Sequence, residues 1–200
     1  MANMENIRAA ELLRKTNETE ILLQLELDGS GKHQVDTEIP FFSHMLTLFA
    51  AHSLCNLKVV SRGDLEVDDH HSVEDMGICL GQAISQALGS KQGINRYGEA
   101  TVPMDEALVR VVLDLSGRAC LVYNVSLERD QIGNFATENV AEFFRAVANQ
   151  GGINIHIDQL RGSNSHHIIE AVFKAFARAF KAAIAREPRL EGVWSTKGKL

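Results

Sequence analysis

Two stretches of the chain place apolar residues at every second position. In the first, residues 21–27, Leu23, Leu25 and Leu27 share one face while Gln24 and Glu26 share the other. Residues 109–115 repeat this alternation. A period of two is typical of a strand with one buried face. Each stretch leads into a Ser-Gly pair, which predicts a turn and a second strand.

Two later segments carry apolar residues at helical spacing. The stripes are Met76, Leu80, Ile84 and Leu88 in the first segment and Phe173, Phe176, Phe180 and Ile184 in the second. Such spacing predicts helices that bury one face. Gly89 is a suitable C-cap for the first helix, and Pro188 ends the second.

The chain also repeats itself. Residues 27–32 resemble residues 113–118 at an offset of 86, and the pair Phe41-Phe42 is echoed by Phe143-Phe144 at an offset of 102. The second half carries extra loop over residues 127–137. These echoes predict an α+β protein, an internal duplication of two β-β-α-β-α halves with helices packed on one face of each sheet. The halves are expected to be residues 1–92 and 93–200 and to form one functional unit.

A third repeat carries candidate chemistry, because His-His-x-x-Glu occurs twice at an offset of 96. The copies are His70-His71-Ser72-Val73-Glu74 and His166-His167-Ile168-Ile169-Glu170. On a helix, the first histidine of each copy shares a face with the glutamate, and the second histidine lies about 100° round. Each helix therefore offers ligands in two directions, which suits a pair of metal ions. Nitrogen and carboxylate ligands without thiolate favour Mn²⁺, with Fe²⁺, Co²⁺ and Zn²⁺ as competitors.

Other polar residues have two interpretations each. His44 lies on a short predicted helix and is either a further ligand or a surface histidine. Lys174 follows Glu170 by four residues and either forms an exposed Glu-Lys pair or faces a substrate anion. The tail, residues 194–199 (WSTKGK), is either a loose terminus or a phosphate-binding segment.

Composition and charge narrow the class of protein. The 200 residues are 45% hydrophobic, and the net charge of -6 includes no block of like charge, which argues against a nucleic-acid or membrane partner. The N-terminal 20 residues have no apolar run, and no segment reaches the roughly 20 apolar residues of a membrane span. The three scattered cysteines are interpreted as buried hydrophobic residues in a reducing compartment. The expected location is therefore cytoplasmic.

Taken together, these motifs resemble the imidazoleglycerol-phosphate dehydratase family over nearly the whole chain. The matching segments are residues 14–19 (RKTNET), 40–46 (PFFSHML), 68–75 (DDHHSVED), 164–171 (NSHHIIEA) and 195–198 (STKG). The resemblance implies dehydration of imidazole glycerol phosphate to imidazole-acetol phosphate in histidine biosynthesis. It also implies two Mn²⁺ ions per active site, and sites completed at subunit contacts in a homo-oligomer of 24 chains.

The resemblance also assigns residues. By family position the metal ligands would be His44, His70, His71, Glu74, His166, His167 and Glu170, with Glu142 where some members have a ligating histidine. Phosphate recognition would fall to Arg96, Arg118, Lys174, Ser195 and Lys197, with His52 on the substrate side. Glu18 matches the acid/base glutamate of the family; without that match it is a surface glutamate at a strand edge.

The implied reaction breaks a C–H bond beside an imidazole ring without help from a carbonyl group. Metal ions on the ring nitrogens would stabilise an imidazolate, which expels hydroxide to give a diazafulvene-like intermediate. Glu18 would move protons between the side-chain carbon and the hydroxyl group. Two other functions use similar residues: a dimetal phosphate-ester hydrolase, and a metal-binding cage without catalytic activity.

Overall fold

Each half of the molecule contains a four-stranded sheet and two helices, and the second half adds a short two-stranded hairpin. The computed structural model describes residues 7–200, so the first six residues of the predicted first half lie outside the described part. The first half contains β1 (Ala9–Lys15), β2 (Thr19–Glu26), β3 (His33–Asp36), α1 (Pro40–Ser53), β4 (Asn56–Gly63) and α2 (His70–Leu88). The second half contains β5 (Tyr97–Met104), β6 (Ala107–Asp114), β7 (Cys120–Asn124), β8 (Gln131–Ile132), β9 (Phe135–Ala136), α3 (Asn139–Gly151), β10 (Asn154–Arg161) and α4 (Ser165–Ile184).

The two main sheets have the same topology. Their strand orders are β1-β2-β4-β3 and β5-β6-β10-β7, and in each the last strand pairs in parallel with its neighbour while the others are antiparallel. The predicted α+β class and the duplication are confirmed. Each main sheet has one strand more than predicted, β1 or β5, ahead of the first alternating stretch. These edge strands are half-exposed even on their inner face, so their apolar pattern is weak.

The strand register fixes how the two hairpins correspond. Ala9 pairs with Glu26 across β1 and β2, and Tyr97 pairs with Asp114 across β5 and β6. The hairpins therefore correspond at an offset of 88 residues, whereas the Ser-Gly echo predicted 86. The extra loop predicted over residues 127–137 contains the short hairpin of β8 and β9.

The helices correspond at a different offset. The residues after α1 and α3, Leu54 and Gly152, both adopt the left-handed conformation, which gives an offset of 98. The two phenylalanine pairs are therefore one helical turn out of register: Phe41-Phe42 lies in the first turn of α1 and Phe143-Phe144 in the second turn of α3.

The core lies between the two sheets. α2 packs on β1 and β2, α4 packs on β5 and β6, and the helices of the two halves contact each other as the pairs α2–α3 and α1–α4. Both predicted helical stripes are buried there, and Gly89 caps α2. α4 ends at Ile184, and Ala185 is already extended three residues before Pro188.

The connection between the halves is residues 89–96, and the predicted division between residues 92 and 93 lies within it. Cys55 and Cys79 are buried as predicted, but Cys120 is exposed at the start of an edge strand. Within residues 7–200, no helix has both the length and the apolar character needed to cross a membrane.

Candidate metal and substrate site

The first candidate site, which we call the α4 cluster, consists of His44, His166 and Glu170. His166 Nε2 lies 3.1 Å from Glu170 Oε1, and His44 Nε2 on α1 lies 3.1 Å from the same oxygen. Asn164 begins α4, because its side chain accepts hydrogen bonds from the backbone N–H groups of His166 and His167. The packing of α1 on α4 thus brings together two imidazole nitrogens and one carboxylate.

Glu170 is the buried member of the α4 cluster. Only 7% of its surface is exposed, and Lys174 Nζ donates to Glu170 Oε2 at 2.6 Å. Burial alone would raise the pKa of Glu170, but the hydrogen bonds from Lys174, His44 and His166 outweigh it and lower that pKa to about 2. Lys174 therefore forms a largely buried ion pair, and the exposed Glu-Lys pair considered from the sequence is wrong.

The second candidate site, which we call the α2 cluster, consists of His70 and Glu74 on α2, together with Glu142 at the position on α3 that the duplication relates to His44. His70 Nε2 lies 3.9 Å from Glu74 Oε2 on the same face of α2. His70 Nδ1 lies 3.1 Å from the Oδ1 atom of Asn139 on α3. Glu142, one turn further along α3, is bound by Arg145, with the Nε–Oε2 distance at 3.1 Å.

The two clusters are related by the duplication. At the helix offset of 98, His44 on α1 corresponds to Glu142 on α3. The first histidine and the glutamate of each doublet motif correspond at an offset of 96. Glu142 therefore occupies in the second half the position that His44 occupies in the first, although Arg145 holds its carboxylate in this structure.

The second histidine of the first motif points to a different set of groups. His71 Nδ1 lies 3.0 Å from Asp64 Oδ2, and His71 Nε2 lies 3.9 Å from Glu18 Oε1. The hydrogen bond with Asp64 raises the pKa of His71. Glu18 lies in the turn between β1 and β2, where its backbone carbonyl accepts from the Asp64 N–H at 3.1 Å.

The second histidine of the other motif has its own carboxylate partners. His167 Nδ1 lies 2.7 Å from Glu106 Oε2, and His167 Nε2 lies 3.7 Å from Asp105 Oδ2. The hydrogen bond from His167, followed by that from the Asn164 backbone, lowers the pKa of Glu106 to about 2. Asp105 and Glu106 form the turn between β5 and β6.

The donor chemistry of the clusters fits a divalent metal ion. Imidazole nitrogens and carboxylate oxygens without a thiolate are the ligands that Mn²⁺ and its neighbours accept. Within residues 7–200 of one chain, however, no group of three or more such side chains is arranged to enclose an ion. Each cluster therefore holds fewer donors than a complete ligand set, and His71 and His167 contact Asp64 and Glu106 instead.

The residues predicted to bind phosphate fall into two groups. Arg96 binds Asp114 through Nε at 2.7 Å and donates to the Trp194 carbonyl oxygen at 2.7 Å, next to Ser195. The backbone N–H of Lys197 donates to Ser195 Oγ at 3.2 Å. Arg96 thus fastens the C-terminal tail beside the start of β5.

Arg118 follows a glycine that lies against the last residue of the chain, whereas Lys174 and His52 lie on α4 and α1. Gly117, which precedes Arg118, faces the terminal carbonyl of Leu200: a Cβ atom there would lie 3.2 Å from that carbon. Lys174 belongs to the α4 cluster. His52 lies at the end of α1, and burial, followed by the nearby charges of Lys174 and Arg178, lowers its pKa.

Three contacting residues were not predicted from the sequence: Asp64, Glu106 and Asn139. Two of them are far along the chain from the histidines that they contact, 61 residues for Glu106 and 69 for Asn139. A signal for Glu106 did exist, since an offset of 88 matches it to Glu18. The match was missed because the repeated string, at an offset of 86, aligns Glu18 with Met104 instead of Glu106.

Comparisons with known proteins agree with this architecture. A family model described as imidazoleglycerol-phosphate dehydratase matches residues 37–180. The imidazoleglycerol-phosphate dehydratase of Syntrophomonas wolfei subsp. wolfei is 74% identical over 194 residues, which cover 97% of this chain and 98% of the relative. That of Acetivibrio thermocellus is 58% identical over 193 residues, with 96% and 99% covered.

Two crystal structures of such enzymes have the same fold. The Staphylococcus aureus enzyme superposes with a TM-score of 0.82 at 41% identity, covering 90% of this chain and 99% of that one. The Pyrococcus furiosus enzyme, solved in complex with (S)-C348, gives a TM-score of 0.82 at 35% identity, covering 94% and 100%. The chain therefore belongs to the imidazoleglycerol-phosphate dehydratase family, whose members are hydro-lyases of histidine biosynthesis.

Proposed function

We propose that this protein is a Mn²⁺-dependent dehydratase that converts imidazole glycerol phosphate to imidazole-acetol phosphate. The observation that carries the proposal is the α4 cluster, in which His44 and His166 approach one oxygen of the buried Glu170 at 3.1 Å each. The second cluster, at the duplicated position, supplies a second set of donors. Membership of the dehydratase family supports the choice of reaction.

In this proposal the ligands come from both clusters and from the second histidine of each motif. They are His44, His166 and Glu170, then His70, Glu74 and Glu142, and then His71 and His167. Two bound Mn²⁺ ions would act as Lewis acids that stabilise negative charge on the imidazole ring of the substrate. Glu142 would take part only after its carboxylate separates from Arg145.

Glu18 is the proposed proton carrier. Its side chain is about half exposed and has no closer histidine contact than the 3.9 Å distance to His71. The turn that carries it is held from two sides, because Thr16 Oγ1 accepts from the Glu18 N–H and Asp64 N–H donates to the Glu18 carbonyl. A carboxylate on a fixed turn can remove a proton from carbon and return it to the departing hydroxyl group, which leaves as water.

Phosphate recognition is proposed for the tail and the residues that hold it. Arg118, Ser195 and Lys197 would bind the phosphate group through charge and short hydrogen bonds. Arg96 would keep the tail in place through the Trp194 carbonyl. Lys174, next to Glu170, is also proposed to bind the phosphate group, and His52, near Lys174, would lie on the substrate side.

The proposal includes assembly, because residues 7–200 of one chain do not bring three or more such donors together. His71 and His167 would complete sites on neighbouring copies in a homo-oligomer, for which the family resemblance implies 24 chains. The protein is proposed to work on a small phosphate-bearing substrate in the cytoplasm, without a nucleic-acid or membrane partner.

The test is formation of imidazole-acetol phosphate by chelator-stripped protein, with and without added Mn²⁺. We expect turnover only with Mn²⁺, and we expect Glu18→Gln to retain bound Mn²⁺ while losing about 10²- to 10⁴-fold in kcat. Absence of turnover with Mn²⁺ fully bound would refute the dehydratase, and release of inorganic phosphate would instead indicate a hydrolase. A Glu18→Gln variant with the parent rate would remove Glu18 from the mechanism.

A further inference from the structure

The two β-hairpins place a glutamate at the same position of the same turn. At the offset of 88, Glu18 corresponds to Glu106, and each is the second residue of a two-residue turn. The first turn is closed by the hydrogen bond from Thr16 N to Thr19 O at 2.9 Å, and the second by the pairing of Met104 with Ala107. The duplication thus provides one turn glutamate for each doublet motif.

The two glutamates make different contacts. Glu18 lies 3.9 Å from its histidine, His71. Glu106 is fully engaged: its Oε2 lies 2.7 Å from His167 Nδ1, and its Oε1 accepts from the backbone N–H groups of Asn164 at 2.9 Å and Ser163 at 3.4 Å. Only Glu18 is therefore free to approach a substrate.

The loops that precede the two motif helices account for this difference. The loop between β4 and α2, residues 64–69, begins with Asp64, which lies 3.0 and 3.3 Å from His71 Nδ1 through its two oxygens. The corresponding loop between β10 and α4 is residues 162–164, Gly-Ser-Asn, and contains no carboxylate. His167 must therefore take its Nδ1 partner from the turn glutamate.

We infer that Glu106 and Asp64 are positioning residues: Glu106 orients His167 for metal binding, and Asp64 orients His71. Glu106 therefore differs in role from Glu18, which is the proposed proton carrier. The inference rests on the proposed Mn²⁺ sites. An imidazole that donates from Nδ1 to a carboxylate is fixed in rotation and presents the lone pair of Nε2 outward. Carboxylates that hold ligating histidines in this way typically change metal affinity by about 10- to 100-fold.

The experiment measures Mn²⁺ affinity and turnover in the same variants of the full-length protein. Chelator-stripped parent, Glu106→Gln and Asp64→Asn are titrated with Mn²⁺ by calorimetry, and kcat is measured at saturating Mn²⁺. Glu106→Gln keeps the size of the side chain, but one amide oxygen cannot accept from both His167 and the Asn164 backbone. Glu66→Gln, an exposed carboxylate in the loop that carries Asp64, is the matched control.

We expect Glu106→Gln and Asp64→Asn each to weaken Mn²⁺ binding by about 10- to 100-fold, and turnover to recover at saturating Mn²⁺. Glu66→Gln should change neither quantity, and Glu18→Gln should show the opposite pattern, with Mn²⁺ bound and turnover lost. If Glu106→Gln does not fold, Glu106→Asp replaces it, because it keeps the charge but shortens the reach to His167.

Two results would overturn the inference. One is a Mn²⁺ affinity of the Glu106 and Asp64 variants within about two-fold of the parent. The other is a Glu106 variant that holds Mn²⁺ fully and still fails to turn over, since Glu106 would then act directly on the substrate. A parent protein that binds no Mn²⁺ would instead contradict the proposed metal sites themselves.

Discussion

Glu170 is the residue on which the α4 cluster depends. Its carboxylate is buried, and it contacts a lysine and two histidines that lie on two helices. A buried charge is tolerated only when its partners compensate for lost hydration, and removing one partner costs more than the pair contributes. Among residues 7–200, Lys174 is the one permanently charged side chain that contacts Glu170, so it should stabilise the cluster in the absence of metal.

Lys174→Met tests this role of the lysine. In chelator-stripped protein we expect a loss of about 2 kcal/mol, because Glu170 remains buried with two imidazoles as its partners. For a chain of this size that loss corresponds to about 4–8 °C in the thermal midpoint. The measurement is thermal unfolding at equal protein concentrations, since assembly makes the midpoint concentration-dependent.

Lys181→Met is the control, since Lys181 is exposed on the same helix. It should change stability by less than about 0.5 kcal/mol. Added Mn²⁺ should reduce the deficit of Lys174→Met, because the cation can neutralise Glu170. Equal midpoints for the two lysine variants without metal would show that Lys174 does not stabilise the cluster.

At the residue scale, helix periodicity predicted some contacts and could not predict others. The contact between His166 and Glu170 follows from their spacing of four residues on one helix. In the structure His166 Nε2 lies 3.1 Å from Glu170 Oε1. The contact between His44 and Glu170 joins residues 126 apart, and no local rule predicts it. It depends on how α1 packs on α4, which is a property of the folded core.

Local patterns also fail to determine the register between the two halves, so the predicted offsets of the duplicated elements were slightly wrong. The strand echo was wrong by two residues and the phenylalanine echo by four. Side chains two apart in a strand, or four apart in a helix, share a face. A hydrophobic pattern therefore assigns the buried face correctly but leaves the register open. The paired strand residues and the helix ends determine it.

Two glycines of α2 allow its close contact with α3. A Cβ atom on Gly77 would lie 2.6 Å from the carbonyl oxygen of Phe143, and one on Gly81 would lie 2.8 Å from that of Val147. The two glycines are one turn apart on α2, so they let the backbone of α3 approach. This approach places Asn139 on α3 next to His70 on α2.

Gly81→Ala should therefore destabilise the protein. Alanine improves helix propensity by up to about 1 kcal/mol, but here its methyl group displaces α3, and overpacking of this kind typically costs about 1–3 kcal/mol. We expect a lower thermal midpoint and weaker Mn²⁺ binding, because His70 and Asn139 move apart. Gln86→Ala, an exposed change on α2, is the control, and a Gly81→Ala protein at least as stable as that control would contradict the packing argument.

At the scale of the whole molecule, the two histidines of each motif serve different surfaces. His166 and His70 face the helix contacts between the halves, whereas His167 and His71 face the carboxylates of the hairpin turns and loops. A chain with donors in two directions has no complete site of its own within residues 7–200. Symmetric assembly can complete such sites, since each copy then donates to one neighbour and receives from another.

Mixed oligomers test whether sites are shared between copies. One variant carries His70→Ala and His166→Ala and loses a donor from each cluster; the other carries His71→Ala and His167→Ala and loses the outward donors. Each should be inactive alone. The two variants are coexpressed with different tags, and mixed oligomers are purified through both tags. Some sites then combine His70 and His166 from the second variant with His71 and His167 from the first. These sites should bind Mn²⁺ again and restore the fraction of turnover expected from random mixing. If verified mixed oligomers remain inactive while parent protein treated in the same way is active, each site must be built within one chain, and the proposed role of assembly would be wrong.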